Sequence, residues 1–151
     1  MSFEIDIQAL VEVEKSLITL IKTAVLTTLT YEKAHPNAQL SLVLSDNPHL
    51  QQLNAQFRQK DTPTDILSFP AEPTVGMEHY LGDIVISVNY AQHHAAKEGH
   101  TLAEELQLLG VHGTLHLLGY DDIDPPDRKT MWAAQTAVLN ELGIQLKVVN
   151  E

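Results

Sequence analysis

His112 and His116 stand four residues apart, and the chain runs on as Leu117-Leu118-Gly119-Tyr120-Asp121-Asp122. On a helix that spacing puts two imidazoles on one face, a turn apart, which suits two ligands to one metal ion. Gly119 can take the positive φ that turns a chain back sharply at a helix end. A residue three positions later then reaches the same ion from the loop, and that residue is Asp122. The pattern H-x-x-x-H-x-x-G-x-x-D therefore offers three ligands and leaves a coordination position open. An ion held this way lowers the pKa of water towards about 7. Taken alone, two histidines at this spacing serve structure more often than metal; the glycine and the ligand-type residue after it favour the metal.

Other chemistries fall away. Zinc peptidases place a glutamate base directly after the first histidine, and here that position is Gly113. The chain has no cysteine. That removes thiolate nucleophiles, iron–sulfur clusters, disulfides and the usual ligands of zinc deaminases. There is no nucleophile elbow, phosphate loop or dinucleotide-binding glycine pattern. The remaining histidines, His35, His49, His79, His93, His94 and His100, read as surface or loop residues.

A second feature is a pair of cations, Arg58 and Lys60, just ahead of Thr64-Asp65-Ile66-Leu67-Ser68-Phe69-Pro70. The chain carries 9 Lys and Arg against 20 Asp and Glu, for a net charge of -11. Such a balance excludes coating nucleic acid or an anionic membrane by bulk charge. Any contact with a polyanion must be local. Arg58 can clamp a phosphate through two parallel hydrogen bonds, or it can simply be an exposed arginine ending a helix.

These groups need elements to position them. At 151 residues the chain fits one domain with a core of its own. Phe3, Ile5 and Ile7 alternate as a short strand, and Leu10 to Ala34 repeats with helical period. Leu40, Leu42 and Leu44 mark a second strand. Asp46 reads as the cap of a short helix through Leu50, Leu53 and Phe57. A strand ends at Pro70, a loop covers 71–80, and Gly82 to Val88 is the most strand-like run. Asn89 reads as the cap of a helix stopped by Gly99. Thr101 with Glu104 makes a capping box for the helix bearing the histidines, and Asp124-Pro125 opens a last helix closed by Gly143. The expectation is an α+β fold, a mixed β-sheet packed with helices. No run is apolar enough to span a bilayer, and the acidic Met1-Ser2-Phe3-Glu4 start lacks a signal-peptide pattern. A cytoplasmic protein is expected.

Taken together, Leu53-Asn54 with Arg58, the Thr64–Pro70 run, Gly82-Asp83-Ile84 and His112-Gly113-Thr114-Leu115-His116-Leu117-Leu118-Gly119-Tyr120-Asp121 resemble the YbeY family of bacterial endoribonucleases and rRNA maturation factors. The resemblance spans roughly residues 40–135. It implies a metal-dependent, single-strand-specific endoribonuclease acting in 16S rRNA 3′-end maturation and ribosome quality control. It also implies a metalloprotease-like metal-binding helix within a single domain, 1–151. It assigns the metal to His112, His116 and the third-ligand position, and catalysis to Arg58 and His112, with Arg58 and Lys60 as substrate contacts. Single-stranded rRNA and the small ribosomal subunit or its proteins become the expected partners, with no DNA and no membrane.

One departure stands out. The family's third ligand is usually histidine, and here it is Asp122. A carboxylate lowers the charge of the loaded site from +2 to about +1 and so weakens its Lewis acidity. Zinc stays the first expectation, but two imidazoles and a carboxylate also suit Mn, Fe or Ni. The competing expectations are a non-catalytic ribosome-associated factor with a structural metal, and another metal-dependent hydrolase.

Overall fold

The computed structural model describes residues 3–146. Its elements run β1 (Glu4–Ala9), α1 (Lys15–Tyr31), β2 (Gln39–Ser45), α2 (Asn47–Arg58), β3 (Ile66–Pro70), β4 (Tyr80–Ser87), α3 (Val88–Glu98), α4 (Leu102–Leu117) and α5 (Pro125–Glu141). The α+β expectation holds. The strands form one mixed sheet in the order β1-β2-β4-β3. β1, β2 and β4 run parallel, and β3 returns antiparallel against β4.

The apolar alternation explains the register. Leu40, Leu42 and Leu44 of β2 lie beside Gly82, Ile84 and Ile86 of β4, and all five large side chains are buried. They meet Ile21, Val25 and Leu29 from α1 and Leu106 and Leu109 from α4. α4 is the central helix: it touches α1, α3, α5, β3 and β4. A second cluster joins α5 to it through Val111, Leu115, Met131 and Val138.

The helix boundaries differ from expectation in two places. α1 starts at Lys15 rather than Leu10, because Leu10 still follows β1, its N–H donating to the Leu44 carbonyl at 2.8 Å. The α3 cap is Ser87, whose Oγ accepts from Tyr90 N, not Asn89. Asn89 instead accepts the Asn47 N–H at the start of α2. Its side chain thus ties the first turns of two helices together, a pairing no local pattern reveals. The Asp46 cap, the Thr101–Glu104 capping box and the stops at Gly99 and Gly143 are as expected.

Candidate metal centre

The capping box starts α4 at Leu102, and its length then sets where the histidines fall. His112 and His116 lie on its last two turns, part-buried, with ring centroids 4.6 Å apart. Gly119 follows with φ of 105°, a backbone conformation that costs other residues roughly 1 kcal/mol or more. The turn sends Tyr120, Asp121 and Asp122 back past the helix end. Asp121 Oδ1 accepts the N–H groups of Asp122 and Ile123, which steadies the loop.

Each ring is oriented from behind. His112 Nδ1 lies 2.9 Å from Gln135 Oε1 on α5, and His116 Nδ1 lies 3.0 Å from the Tyr120 carbonyl oxygen. Both partners are acceptors, so each neutral ring carries its proton on Nδ1 and keeps a lone pair on Nε2. The two Nε2 atoms face each other at 3.1 Å. Asp122 Oδ2 stands 3.7 Å from the first and 3.6 Å from the second. All three ligand atoms fall within 4.8 Å of one another.

That donor set fits a divalent cation. With each Nδ1 engaged by an acceptor, the two Nε2 lone pairs and the carboxylate can converge on one cation. Burial pushes the His112 imidazole below its ordinary value, and the neighbouring His116 pushes the same way. The unprotonated, ligand form is therefore favoured. The C-terminal end of α4 adds partial negative charge on the same side. His112, His116 and Asp122 are the residues that could hold the ion.

Gly113 has a positive reason to be glycine. A Cβ there would lie 3.0 Å from both Ile66 Cδ1 and Ile84 Cγ2. α4 rests directly on β3 and β4 at this point, so the position that carries a base in zinc peptidases is packed into the sheet. Any larger side chain there requires Ile66 and Ile84 to give way.

Arg58 and Lys60 are not brought into contact with the three ligands. Arg58 ends α2, and its Nη2 donates to the Ser68 carbonyl of β3 at 2.7 Å. The guanidinium carbon stands 5.7 Å from the Phe69 ring centre. β3 nevertheless links the two groups: Ser68 holds Arg58, while Ile66, two residues earlier, packs beneath Gly113. Two residues of strand span about 6.6 Å. Lys60 is exposed, beyond the left-handed residue Gln59 that ends α2.

Several residues escaped the linear reading. His94 and His100, read as surface residues, both turn onto Glu105 of α4. His94 Nδ1 lies 3.0 Å from Oε2, and His100 Nε2 meets Oε1. Glu105 is only 1% exposed. The loop before β3 brings Asp65 close by, and burial pushes its carboxyl above the ordinary value. Asp65, His100, Glu105, His112 and Gln135 share the wall of a cavity of about 230 Å³. Gln135 is 23 residues from the histidine it orients, so spacing carried no signal for it. His35 and His79 stack on each other with centroids 3.7 Å apart, away from the metal ligands.

The comparisons with known proteins point to one family. The family model described as Endoribonuclease YbeY matches residues 4–143. The match includes β1 and α1, which the motifs alone do not use. The Endoribonuclease YbeY of Desulforamulus reducens is 38% identical over 145 residues, covering 92% of this chain and 95% of that protein. Its namesake from Alkaliphilus metalliredigens is 39% identical, covering 91% and 92%. The solution structure of TM1509 from Thermotoga maritima superposes with a TM-score of 0.63 at 26% identity, over 92% of this chain and 91% of that one.

Proposed function

The chain belongs to the YbeY endoribonuclease family, and from that premise we propose that it is a metal-dependent endoribonuclease cutting single-stranded RNA. In this reading residues 1–151 form one catalytic domain that acts in the cytoplasm on 16S rRNA 3′ ends and in ribosome quality control, beside the small ribosomal subunit. No helix among the described residues is long and apolar enough to cross a membrane. The observation that carries the metal-dependent reading is the convergence of His112 Nε2, His116 Nε2 and Asp122 Oδ2, with both Nδ1 positions already occupied.

When bound, a divalent ion supplies Lewis-acid stabilisation of the charge that builds on the phosphoryl group. Zinc is the first assignment, with Mn, Fe or Ni also suited to two imidazoles and a carboxylate. His112 and His116 hold the ion by their Nε2 atoms and Asp122 by its carboxylate. Gln135 and Tyr120 hold the rings. Arg58 supplies a fixed positive charge at the edge of the site: Ser68 engages one of its nitrogens and leaves other donors for a phosphate. Lys60 adds a second, exposed cation for the RNA backbone. Among the described residues three side chains converge rather than four, which supports an open, catalytic position over a closed structural one.

The test is elemental analysis of the purified protein beside Asp122→Ala, followed by cleavage of a single-stranded RNA with and without chelator. One ion per chain, lost in the variant, with cleavage abolished by chelator, supports the reading. Full cleavage by a metal-stripped protein overturns it. Arg58→Ala is expected to keep its metal and lose on the order of a hundredfold in rate, from about 2.7–4 kcal/mol of electrostatic stabilisation. Loss of the metal, or an unchanged rate, refutes the role given to Arg58.

A further inference from the structure

The chain has two arginines, Arg58 and Arg128, and a single tryptophan, Trp132. Arg128 and Trp132 lie one turn apart on the outer face of α5. With Lys129, Ala133, Thr136 and Ala137 they line an open groove of about 780 Å³. The chain carries 20 acidic residues, yet among the described residues none lines this groove, while two cations do. The groove is a local reversal of the overall charge. Its described lining comes from α5 and combines the apolar Trp132, Ala133 and Ala137 with the cations Arg128 and Lys129.

Its position matters as much as its charge. Trp132 also lines the cavity beside His112, together with Asp65 and Gln135. One indole therefore borders both spaces, and α5 supplies Gln135 to the metal centre and Arg128 and Lys129 to the groove. Trp132 is the one described residue that the two linings share, so a strand bound near His112 passes this indole on its way to the helix face.

We propose that the α5 groove seats the single-stranded RNA that flanks the cut, with a base stacked on Trp132 and neighbouring phosphates on Arg128 and Lys129. Aromatic faces accept any base, and cations track the backbone without reading sequence. The groove thus gives an acidic protein a local hold on its substrate, independent of bulk charge. This inference rests on the endoribonuclease reading of the metal centre.

Trp132 is its own reporter. The metal-loaded protein is titrated with a fluorescently labelled 2′-O-methyl oligoribonucleotide of about 12 nucleotides, long enough for one groove. Binding is followed by anisotropy of the label and by Trp132 emission. Saturable quenching of the indole in step with anisotropy is the expected result. Arg128→Ala with Lys129→Ala should flatten the slope of log affinity against log salt by about 1.4, the value for two lost phosphate contacts on a single strand. Trp132→Leu should weaken binding roughly tenfold. Both variants should keep their metal and raise the KM for long RNA with kcat unchanged. Anisotropy that rises while Trp132 emission stays constant, with a salt slope untouched by the double substitution, overturns the groove but not the enzyme. It would reassign this face to a protein partner. Absence of both binding and cleavage across single-stranded RNAs overturns the endoribonuclease reading and the groove with it.

Discussion

Near its start α4 carries Glu105, and near its end it carries His112 and His116. At each place two imidazoles meet one carboxylate. At the first, the carboxylate is buried in the helix and the histidines come to it, His94 from α3 and His100 from the turn after Gly99. Both oxygens are engaged at hydrogen-bond distance, and the cluster is closed. At the second, the histidines belong to the helix and the carboxylate of Asp122 comes from a loop, 38% exposed, no closer than 3.6 Å. The carboxylate stands too far from either ring to hydrogen-bond and near enough to share an ion with them. The same side-chain types thus make a staple in one case and a group that could hold an ion in the other. What separates them is where the ring protons go: towards Glu105 at the first, and away to Gln135 and Tyr120 at the second.

The largest effect should come from removing a ligand from the open cluster. His116→Ala is expected to lose the metal and reduce RNA cleavage to background, with the fold intact by circular dichroism; a metal-loaded, active variant would break the contrast at once. Glu105→Ala tests the closed cluster. It strands the part-buried His100 and removes the partner of the more exposed His94, and should cost about 1–3 kcal/mol in denaturant unfolding. Metal content should be unchanged. Metal loss with unaltered stability would show that the two clusters have been assigned the wrong way round.

Gln135→Met keeps the volume of the side chain but removes the acceptor behind His112. Such outer partners are worth roughly 10–100-fold in metal affinity, to be read by competition with a chromogenic chelator. Tyr120→Phe should have the smallest effect. The phenol donates to Glu32, the residue that caps the C-terminal end of α1, at 2.7 Å, which pushes its pKa up to about 12 and ties the loop to that helix end. The backbone carbonyl that holds His116 remains. Metal affinity should fall less than in Gln135→Met; a larger fall would move the control of the site from α5 to α1.

Much of this centre was legible along the chain. His112, His116, Gly119 and Asp122 lie within 11 consecutive residues, and helix geometry alone brings them together. The capping box and the alternation in β2 were equally local. Asn89 was misassigned because its acceptor faces a helix 42 residues away. His94 and His100 were read as surface residues because nothing nearby in sequence announces Glu105 as buried.

The sequence by itself determined that two imidazoles and a carboxylate would share one end of a helix, because those contacts need only helical periodicity and one left-handed turn. It also determined the sheet's buried face, through period-two alternation. The tertiary structure decided which histidines are free to hold an ion and which staple, because that depends on acceptors contributed by other elements. It also decided that Gly113 must remain small, since Ile66 and Ile84 reach it only when the sheet is assembled. And it decided that Trp132 would border both the cavity beside His112 and a basic groove, a juxtaposition that exists only once α5 is packed against α4.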